Sequence, residues 1–286
     1  MISTPLVSVL MTAYNREKYI AEAIESVLGS SYTNFELIIV DDGSTDNTVA
    51  IARSFEAKDK RIKVFINNKN LGDYANRNMA SSYARGEYLM YVDSDDKIFD
   101  DGIEKCISLM LKYPQSSFGM RIFNKVCEPF EIESKAVISK HFFDEPLLGT
   151  GPGGTVIRRT FFEKIHRYPT KYGPANDMYF NLKAACNTSM VLIPFEFLLY
   201  RIHEGQEINN RFSYLYNNYL YLEDALNELP LHLPSDKLRW LHLKNKRRFF
   251  INIIYFFFST FKWSKTIAAL KYTQFGLKDM FYAIFQ

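Results

Sequence analysis

Four short apolar runs are spaced along the first hundred residues, and a helix-like segment follows each of the first three. Each run has the length of a strand and is apolar at almost every position, as are strands buried on both faces of a sheet. The runs occupy residues 6–11, 35–40, 62–66 and 88–92. This alternation predicts an α/β fold in which helices cover both faces of a largely parallel sheet.

The segments between the runs have helical periodicity. Residues 20–28 place apolar side chains on one helix face, and further helices are predicted over 48–55 and from about residue 74 to a stop at Gly86. Asn15 is expected to cap the first helix. Because parallel crossovers are right-handed, the carboxyl ends of the strands share one edge, where open sheets of this kind bind ligands.

The pattern changes after residue 100. A helix is predicted over 102–112, strands over 118–123 and 155–158, and a glycine-rich stretch lies at 149–154. We interpret this part as the second half of the same domain. After His203 the chain becomes helical and rich in aromatic residues.

Composition narrows the class of protein. The 286 residues are 47 % hydrophobic, enough for a large core, and 35 basic against 32 acidic residues give a net charge of +3, without the excess that nucleic-acid binding needs. Cys106, Cys127 and Cys186 lack the close spacing of zinc or redox motifs and fit a reducing, cytoplasmic compartment. The first residues show no signal-peptide pattern.

Carboxylates follow two of the predicted strands. Asp41 and Asp42 come directly after the second run, and Asp93, Asp95 and Asp96 come directly after the fourth. Carboxylates this close repel one another unless a divalent cation lies among them, and an all-oxygen ligand set suits Mg²⁺ or Mn²⁺. The alternative is that these aspartates only form turns and cap helices.

The first strand ends in Thr12, Ala13 and Tyr14. Neither a G-x-x-x-x-G-K-[ST] phosphate loop nor a G-x-G-x-x-G dinucleotide pattern follows it. One aromatic and two small side chains could instead hold a flat, hydrogen-bonding base, although Tyr14 could equally serve packing.

The order of these features resembles that of the family 2 glycosyltransferases of the GT-A fold. The resemblance rests on residues 7–15 (VSVLMTAYN), residues 40–46 (VDDGSTD), the pair Asn70 and Gly72 with Arg77 and Asn78, and residues 86–96 with their D-x-D signature. It covers about the first hundred residues, with weaker echoes up to His203, and the last eighty or so residues match no pattern.

The resemblance implies an inverting enzyme that transfers a sugar from a nucleotide-diphospho-sugar, most often a UDP-sugar, to an acceptor hydroxyl. Asp95, the second aspartate of the D-x-D signature, and His203 are expected to bind a Mn²⁺ or Mg²⁺ cofactor at the diphosphate; the alternative for His203 is a structural role. The residues expected to bind the nucleotide are Thr12, Ala13, Tyr14, Asp42, Arg77 and Asp93.

The resemblance also implies residues for catalysis and for the sugars. Asp177 is expected to be the general base that takes the acceptor proton, with a helix N-cap as the alternative. The family usually carries an acidic pair here, and Asn176 stands where the first acid is expected. The residues expected to contact the donor or acceptor sugar are Asp96, Gly153, Gly154 and Thr155, with a plain turn as the alternative for the glycines.

A basic segment at residues 244–248 precedes an aromatic run at 249–261. The run is shorter than the ~20 residues that span a bilayer. It suits a helix that lies in a membrane interface with its cations at the headgroups, which predicts peripheral contact through residues 244–262. Because apolar side chains extend nearly around the helix, burial against the catalytic domain or in a homodimer is the alternative.

We therefore expect a GT-A catalytic domain at 1–205, made of a nucleotide-binding half (1–100) and an acceptor-side half (101–205), followed by a helical extension (206–286). The expected function is metal-assisted transfer of a hexosyl or N-acetylhexosaminyl group to a glycan or lipid-linked glycan, in surface polysaccharide or glycolipid synthesis, in the cytoplasm or on the cytoplasmic membrane face. The alternatives are a non-catalytic nucleotide-sugar-binding or membrane-docking subunit and, less in keeping with the first loop, a sugar nucleotidyltransferase.

Overall fold

The computed structural model describes residues 4–123, 128–203 and 210–285. The strands in these ranges are β1 (Val7–Ala13), β2 (Phe35–Asp41), β3 (Ile62–Ile66), β4 (Tyr88–Tyr91), β5 (Lys97–Ile98), β6 (Phe118–Arg121), β7 (Phe130–Ile132), β8 (Thr155–Arg158), β9 (Met190–Ile193) and β10 (Leu198–Leu199). The helices are α1 (Ile20–Leu28), α2 (Thr48–Glu56), α3 (Asp73–Ser82), α4 (Gly102–Lys112), α5 (Ser134–Phe143), α6 (Arg159–Lys164), α7 (Asn176–Asn187), α8 (Arg211–Glu228), α9 (Ser235–Thr260), α10 (Trp263–Thr273) and α11 (Leu277–Phe285).

Eight of the strands form one sheet in the order β3-β2-β1-β4-β8-β6-β9-β7. β1 pairs in parallel with β2 and β4, and β2 pairs in parallel with β3. The sheet then becomes mixed, because β8 runs antiparallel to both of its neighbours, β4 and β6. The α/β fold and the parallel half expected from the first hundred residues are confirmed.

Two apolar cores lie on opposite faces of this sheet. Successive residues of a strand point to opposite faces, so Val9 and Met11 of β1 pack with α1, α2 and α4. Leu10, between them, packs on the other face with α3 and α5 to α8. Burial on both faces explains why the strands read as continuous apolar runs.

The parallel pairing brings three strand ends together. Asp42 N donates a hydrogen bond to Ala13 O (2.8 Å), and Val92 N donates one to Leu10 O (3.0 Å). The residues that follow β1, β2 and β4 therefore start from one edge of the sheet, as predicted.

Gly86 does not end α3, which stops at Ser82. Instead it allows the start of β4 to approach β1 closely. A Cβ atom at Gly86 would lie 2.5 Å from Ser8 N and 2.8 Å from Leu6 O. The glycine is required by this backbone approach and not by the helix terminus.

The prediction that Asn15 caps α1 is wrong. The helix begins at Ile20, and Asn15 lies in a turn with φ of +52°. Its side-chain Oδ1 accepts a hydrogen bond from Thr45 N (2.8 Å), and its own N donates to Ser44 Oγ (2.7 Å). Asn15 thus ties the loop after β1 to the loop after β2, since asparagine tolerates positive φ.

The carboxyl-terminal helices have a core of their own and also pack against α7 and the segment that precedes it. Tyr172 OH and Tyr179 OH donate hydrogen bonds to Asp224 and Glu228 of α8, each at 2.7 Å. The expected domain boundary at 205/206 lies outside the described residues. The separate core of the carboxyl-terminal helices consists of Tyr219, Phe249, Ile253, Ala269 and Phe275.

Among the helices described, none combines the length and the apolar character that crossing a bilayer demands.

Candidate active site

A cleft of about 870 Å³ opens at the carboxyl ends of β1, β2 and β4. The first turns of α3, α7 and α8 contribute to its other walls. The residues lining it include eight that the sequence predicted for nucleotide binding, metal binding or catalysis: Thr12, Ala13, Tyr14, Asp42, Arg77, Asp93, Asp95 and Asp177.

Asp42 is buried at the base of the cleft and holds the loop that leads into α3. Its Oδ1 accepts hydrogen bonds from Asn67 Nδ2 (2.8 Å) and Leu71 N (2.9 Å), and its Oδ2 accepts one from Gly72 N (2.9 Å). A carboxylate offers about four acceptor positions, so this bracing leaves capacity for a donor group on a ligand. Tyr14, beside it in the cleft lining, is 46 % exposed and is therefore available to stack on a ring.

Arg77 supplies the buried cation of the cleft. Its Nη1 donates to Asp93 Oδ1 (2.6 Å), and its Nε lies 2.9 Å from Asp73 Oδ1. Only 6 % of Arg77 is exposed, and the rings of Tyr74 and Tyr91 flank its guanidinium at 5.8 and 5.6 Å. Burial alone would lower the pKa of Arg77, but Asp73 and Asp93 hold that pKa well above its ordinary value.

Asp95 is held between two basic side chains. Arg16 Nε donates to Asp95 Oδ2 (2.9 Å), and His203 Nε2 lies 2.9 Å from the same oxygen. Burial alone would raise the pKa of Asp95, but the His203 hydrogen bond and the Arg16 charge hold that pKa below its ordinary value. The imidazole is itself positioned by Tyr19, whose ring stacks on it with centroids 4.6 Å apart.

The two expected metal ligands fit a divalent cation. Adjacent ligands of an octahedral ion with bonds of about 2.0–2.1 Å lie about 3 Å apart, and Asp95 Oδ2 and His203 Nε2 are 2.9 Å apart. In the described ranges, no group of three or more His, Cys, Asp or Glu side chains could hold a metal ion unaided. A set of two protein ligands suits an ion that takes its remaining ligands from phosphate oxygens and water.

Two of the five clustered aspartates form hydrogen bonds with the backbone of the chain that stabilise the fold. Asp41 accepts hydrogen bonds from Gly43 N (3.0 Å) and Ser44 N (2.8 Å), so for this residue the alternative of a turn is the observed one. Asp96 is 2 % exposed and accepts a hydrogen bond from Arg201 N (3.0 Å). Burial, reinforced by the charge of Asp93, raises the pKa of Asp96 to about 7. Asp96 is not among the residues that line the cleft.

Asp177 lies in the first turn of α7 and lines the cleft. It is not the N-cap, a position that Ala175 occupies. Burial raises the pKa of Asp177 to about 6, against the hydrogen bonds that it receives from Met178 N (2.7 Å) and from Tyr74. A carboxylate with a pKa near neutrality is suited to accept a proton.

Asn176, which stands in place of the family's usual first acid, is a buried brace. Its Oδ1 accepts a hydrogen bond from Tyr172 N (2.9 Å), and its Nδ2 donates one to Gly173 O (2.6 Å). These bonds fix the short 3₁₀ turn Gly173–Ala175 that precedes α7 and so fix the direction in which Asp177 leaves the helix.

The glycine-rich stretch packs beside the cleft, and Gly153, Gly154 and Thr155 are not among its lining residues. A Cβ at Gly154 would lie 2.0 Å from Thr150 Cγ2, and Thr155 Oγ1 donates a hydrogen bond to Pro152 O (2.7 Å). Both features serve the 3₁₀ turn Pro152–Gly154 before β8. The stretch approaches the carboxyl group of Asp177 at Gly151, where a Cβ would lie 3.5 Å from Asp177 Oδ2.

Several further residues of the site were not predicted, and four of them make contacts or line walls that matter for its chemistry. Asp73 is placed four residues before Arg77 on α3, a spacing that could have revealed their contact. Arg16 directly follows the first motif, but its contact with Asp95 spans 79 residues and has no local signal. Ser213 and Tyr214 line the cleft from α8, in the part of the sequence that matched no pattern.

Residues 8–168 match the family model for glycosyl transferase family 2. The chain belongs to the family 2 glycosyltransferases. The resemblance inferred from the motifs of the first hundred residues is thereby confirmed.

Sequence relatives of this glycosyltransferase include bacterial and archaeal proteins. It is 30 % identical over 230 residues to Escherichia coli UDP-Glc:α-D-GlcNAc-diphosphoundecaprenol β-1,3-glucosyltransferase WfgD, which covers 79 % of this chain and 88 % of that one. It also spans 43–46 % of the length of three glycosyltransferases from Haemophilus influenzae and Bacillus subtilis, at 41–43 % identity over 108–129 residues.

Solved structures confirm the GT-A-like fold of this glycosyltransferase. S. aureus TarS 1–349 in complex with UDP-GlcNAc superposes with a TM-score of 0.71 at 22 % identity, covering 92 % of this chain and 79 % of that one. Mannosyltransferase PcManGT from Pyrobaculum calidifontis, in complex with GDP-Man and Mn²⁺, has a TM-score of 0.67 at 15 % identity, covering 98 % and 78 %.

Proposed function

We propose that this chain transfers a sugar from a nucleotide-diphospho-sugar to an acceptor hydroxyl with inversion at the anomeric carbon. The observation that carries the proposal is that one cleft is lined both by the charged groups Arg77, Asp93 and Asp95 and by Asp177, whose pKa is raised. Inversion needs a base on the face of the reacting carbon away from the leaving group, and in this proposal Asp177 is that base.

The donor is a UDP-sugar in this proposal. The uracil lies against Tyr14 beside Thr12 and Ala13, and its imide N–H donates to the remaining acceptor capacity of Asp42. Arg77 attracts the diphosphate, and Asp93 lies near the ribose. Two relatives support the choice of nucleotide: the WfgD name specifies UDP-Glc, and the TarS structure holds UDP-GlcNAc.

A Mn²⁺ or Mg²⁺ ion is proposed to bind at Asp95 and His203. Such an ion, when bound to a diphosphate, stabilises the negative charge that develops on the leaving group. The PcManGT structure, which contains Mn²⁺, supports this cofactor. Because Arg16 contacts the same oxygen of Asp95, Arg16 must release that oxygen when a metal is bound there. Its guanidinium then remains in the cleft as a second cation for the diphosphate.

Asp177 is proposed to be the general base. As the acceptor oxygen forms its bond to the anomeric carbon, the hydroxyl proton moves to the Asp177 carboxylate. The bond from that carbon to the diphosphate oxygen breaks at the same time, and its electron pair leaves with the nucleoside diphosphate. Positioned general bases contribute about 10²- to 10⁴-fold to such rates.

The acceptor is proposed to be a glycan or lipid-linked glycan of a surface polysaccharide. The WfgD acceptor, a diphosphoundecaprenol-linked GlcNAc, supports this class, and the transferred group is then a hexosyl or N-acetylhexosaminyl unit. Asp96, Gly153, Gly154 and Thr155 are not among the lining residues. In this proposal they affect sugar binding only through the residues that they contact.

Thermal unfolding with nucleoside diphosphates tests the proposal. The protein is heated with the diphosphates of uridine, guanosine, cytidine or thymidine, each with Mn²⁺, with Mg²⁺ or with a chelator. A ligand at 100 times its Kd stabilises the fold by about 2.7 kcal/mol, which raises Tm by about 5–10 °C for a chain of this size. We expect the largest rise with UDP and Mn²⁺ or Mg²⁺. No rise with any nucleotide would favour a non-catalytic subunit.

The reaction products distinguish a glycosyltransferase from the remaining alternative, a sugar nucleotidyltransferase. A glycosyltransferase incubated with a UDP-sugar releases UDP, whereas a nucleotidyltransferase that makes the same sugar nucleotide releases pyrophosphate. Slow release of UDP with water as the acceptor is expected, and release of pyrophosphate from UTP and a sugar phosphate would contradict the proposal.

A further inference from the structure

Large apolar side chains cover one outward side of the carboxyl-terminal helices. We call this the α9–α10 surface, and it consists of Ile251, Ile254, Tyr255, Phe258, Phe261 and Trp263. Each is between 41 % and 75 % exposed. Contiguous exposed apolar patches of this kind are rare on soluble monomers and mark interaction sites.

The structure divides the aromatic run between two environments. Phe249 and Ile253 are 2 % and 4 % exposed and pack against Tyr219, Ala269 and Phe275 in the core of the helical extension. The α9–α10 surface therefore continues on the opposite side of the same helix. For Phe249 and Ile253 the observed environment is the predicted alternative, burial within the chain, since the chain's own core covers them.

Basic side chains lie on the same face of α9 as the exposed apolar residues, closer to the amino-terminal end of the helix. A groove there is lined by Trp240, Lys244, Arg247, Arg248 and Ile251, among others, and contains no acidic side chain. These residues follow a spacing of three or four, so they lie along one helix face. From residue 240 to residue 258 the stripe is about 27 Å long at 1.5 Å per residue.

Charge is distributed unevenly between the two parts of the protein. Residues 235–285 carry ten lysines and arginines against Asp236 and Asp279, whereas the rest of the chain carries 25 basic and 30 acidic residues. Asp279 forms an ion pair with Lys246, in which Oδ1 and Nζ lie 2.8 Å apart. Residues 235–285 are therefore strongly cationic, although the net charge of the whole chain is only +3.

The helix α9, which carries most of the α9–α10 surface, lies next to the cleft. Phe212 of α8 contacts Phe256 (ring centroids 5.8 Å apart), and Lys265 Nζ of α10 lies 5.2 Å from the Phe212 ring. The next two residues of α8, Ser213 and Tyr214, line the cleft. The aromatic end of α9 is thus within one helical turn of a cleft wall.

We propose that the α9–α10 surface docks this protein on an anionic lipid surface, with the cleft opening beside the bilayer. Aromatic side chains enter the interface while Lys244, Arg247 and their neighbours meet the lipid headgroups. Charge favours this occupant over a second copy. In a twofold dimer the same cationic stripe would face itself, with Asp236 as the one acidic residue of α9 to α11 outside the Lys246 pair.

Docking itself does not depend on the proposed function, but its consequence does. If the acceptor is lipid-linked, a surface that holds the cleft beside the bilayer places the acceptor hydroxyl within reach of Asp177. The partner class, an anionic lipid headgroup over an apolar layer, follows from the side chains alone.

Vesicle binding by the full chain tests the proposal. Co-sedimentation is measured with vesicles of phosphatidylglycerol and phosphatidylcholine in a one-to-three ratio and with phosphatidylcholine alone, without nucleotide. We expect binding to the anionic vesicles that weakens between about 0.1 M and about 1 M NaCl, because the Debye length shrinks from about 10 Å to about 3 Å.

Two variants of the surface separate the apolar and the ionic contributions. Tyr255→Ser with Phe258→Ser removes exposed rings, and we expect at least tenfold weaker binding. Lys244→Gln with Arg247→Gln and Lys262→Gln removes three cations, and at about fivefold per charge we expect a loss on the order of 100-fold. The matched control is Lys58→Gln with Lys60→Gln and Lys63→Gln. It removes the same charge from exposed positions within residues 1–100 and is expected to bind vesicles as the wild type does.

Three outcomes would overturn the proposal: no binding to anionic vesicles, equal binding by the surface variants and the control, or equal binding to neutral vesicles. Sedimentation velocity without lipid provides a further check. A concentration-dependent dimer that Tyr255→Ser with Phe258→Ser abolishes, together with no vesicle binding, would assign the surface to a second copy. UDP-induced stabilisation is measured on each variant, so a failure of the proposed function is distinguishable from a failure of docking.

Discussion

Asp95 Oδ2 and His203 Nε2 lie 2.9 Å apart although 108 residues separate them in the chain. The first residue follows β4, and the second follows the short strand β10. β10 pairs with β5, which begins two residues after Asp95, and this pairing carries the second segment back to the cleft. The distance between these two atoms is close to that between adjacent ligands of an octahedral metal ion. The pair is therefore the first target for mutation.

Asp95→Asn is expected to remove the metal dependence of donor binding. The amide keeps the size of the side chain but loses the charge that a divalent cation needs. Titration calorimetry with UDP should then give the same Kd with Mn²⁺ and with chelator, whereas the wild type should bind at least tenfold more tightly with Mn²⁺. A variant that retains full metal dependence would show that the ion binds elsewhere.

His203→Asn is expected to raise the Mn²⁺ concentration for half-maximal stimulation about tenfold, because imidazole is a ligand for such ions. Neither histidine is among the residues that line the cleft, but His203 contacts Asp95, which does line it. The matched control is therefore His232→Asn, at an exposed histidine. Its positive φ of +54° suits asparagine, so this substitution should leave both stability and metal response unchanged. Equal responses of the two variants would assign His203 a structural role.

Asp177→Asn is expected to lower kcat by about 10²- to 10⁴-fold and to leave the KM for the donor nearly unchanged, because it removes a base and keeps the shape. With the pKa of Asp177 raised to about 6 by burial, wild-type kcat should rise with pH through about 6 as the carboxylate forms. A variant that retains normal turnover would show that another group takes the proton.

The same substitution should stabilise the fold at neutral pH. The pKa of Asp177 is about 6 in the folded chain, against an ordinary value of 3.8, so folding favours the protonated form. The fold therefore loses stability as the pH rises from about 4 to about 6, and the full cost is present above about 6. The neutral amide avoids this cost. Urea unfolding of Asp177→Asn is expected to show a gain of about 1–3 kcal/mol at pH 8 that disappears below pH 4. A gain that is independent of pH would contradict this origin.

Arg77→Gln is expected to weaken UDP binding by about 10- to 100-fold and to destabilise the fold by about 2–4 kcal/mol. The substitution leaves the carboxylates of Asp73 and Asp93 without their shared cation. Arg53→Gln is the matched control, because the ion pair of Arg53 with Glu56 is exposed and such pairs contribute about 0–1 kcal/mol. If the two variants lose the same stability and bind UDP equally well, Arg77 is not the buried cation of the donor site.

Gly86→Ala is expected to destabilise the fold by about 1–3 kcal/mol, since the new Cβ would meet Ser8 N at 2.5 Å and Leu6 O at 2.8 Å. Gly149→Ala places its Cβ in open space and should change stability by less than about 0.5 kcal/mol. Thermal unfolding of both variants checks the pair, and equal Tm values would contradict the close approach of β4 to β1.

Much of the fold was readable because its signals are local. The strands at 35–40 and 62–66 and the helix at 102–112 were predicted within a residue of β2, β3 and α4, since burial on both faces of a parallel sheet leaves continuous apolar runs. The role of Asn15 was predicted wrongly because asparagine is favoured both as a helix cap and in turns. Its positive φ and its bond to Thr45 arise only when two loops meet.

The candidate site was predictable to the extent that motifs sit at strand ends. Parallel pairing alone requires Asp42, Asp93 and Asp95 to approach one edge of the sheet. Which carboxylates face the cleft was not predictable, because Asp41 and Asp96 carry the same side chain as the aspartates that line it. Only the tertiary structure shows that Asp41 is bound by the turn that follows it and that Asp96 is buried against Arg201 N.

The sequence by itself determined the α/β class, the family and the edge of the sheet where the chemistry lies, because each depends on contacts between near neighbours in the chain or on the handedness of its crossovers. The tertiary structure alone decided that His203 and Arg16 meet on Asp95, that α8 closes the cleft, and that Phe249 is buried while Phe258 is exposed. These outcomes depend on how distant segments pack. A phenylalanine carries the same hydrophobicity on either side of a helix, and only the neighbouring helices determine which side is covered.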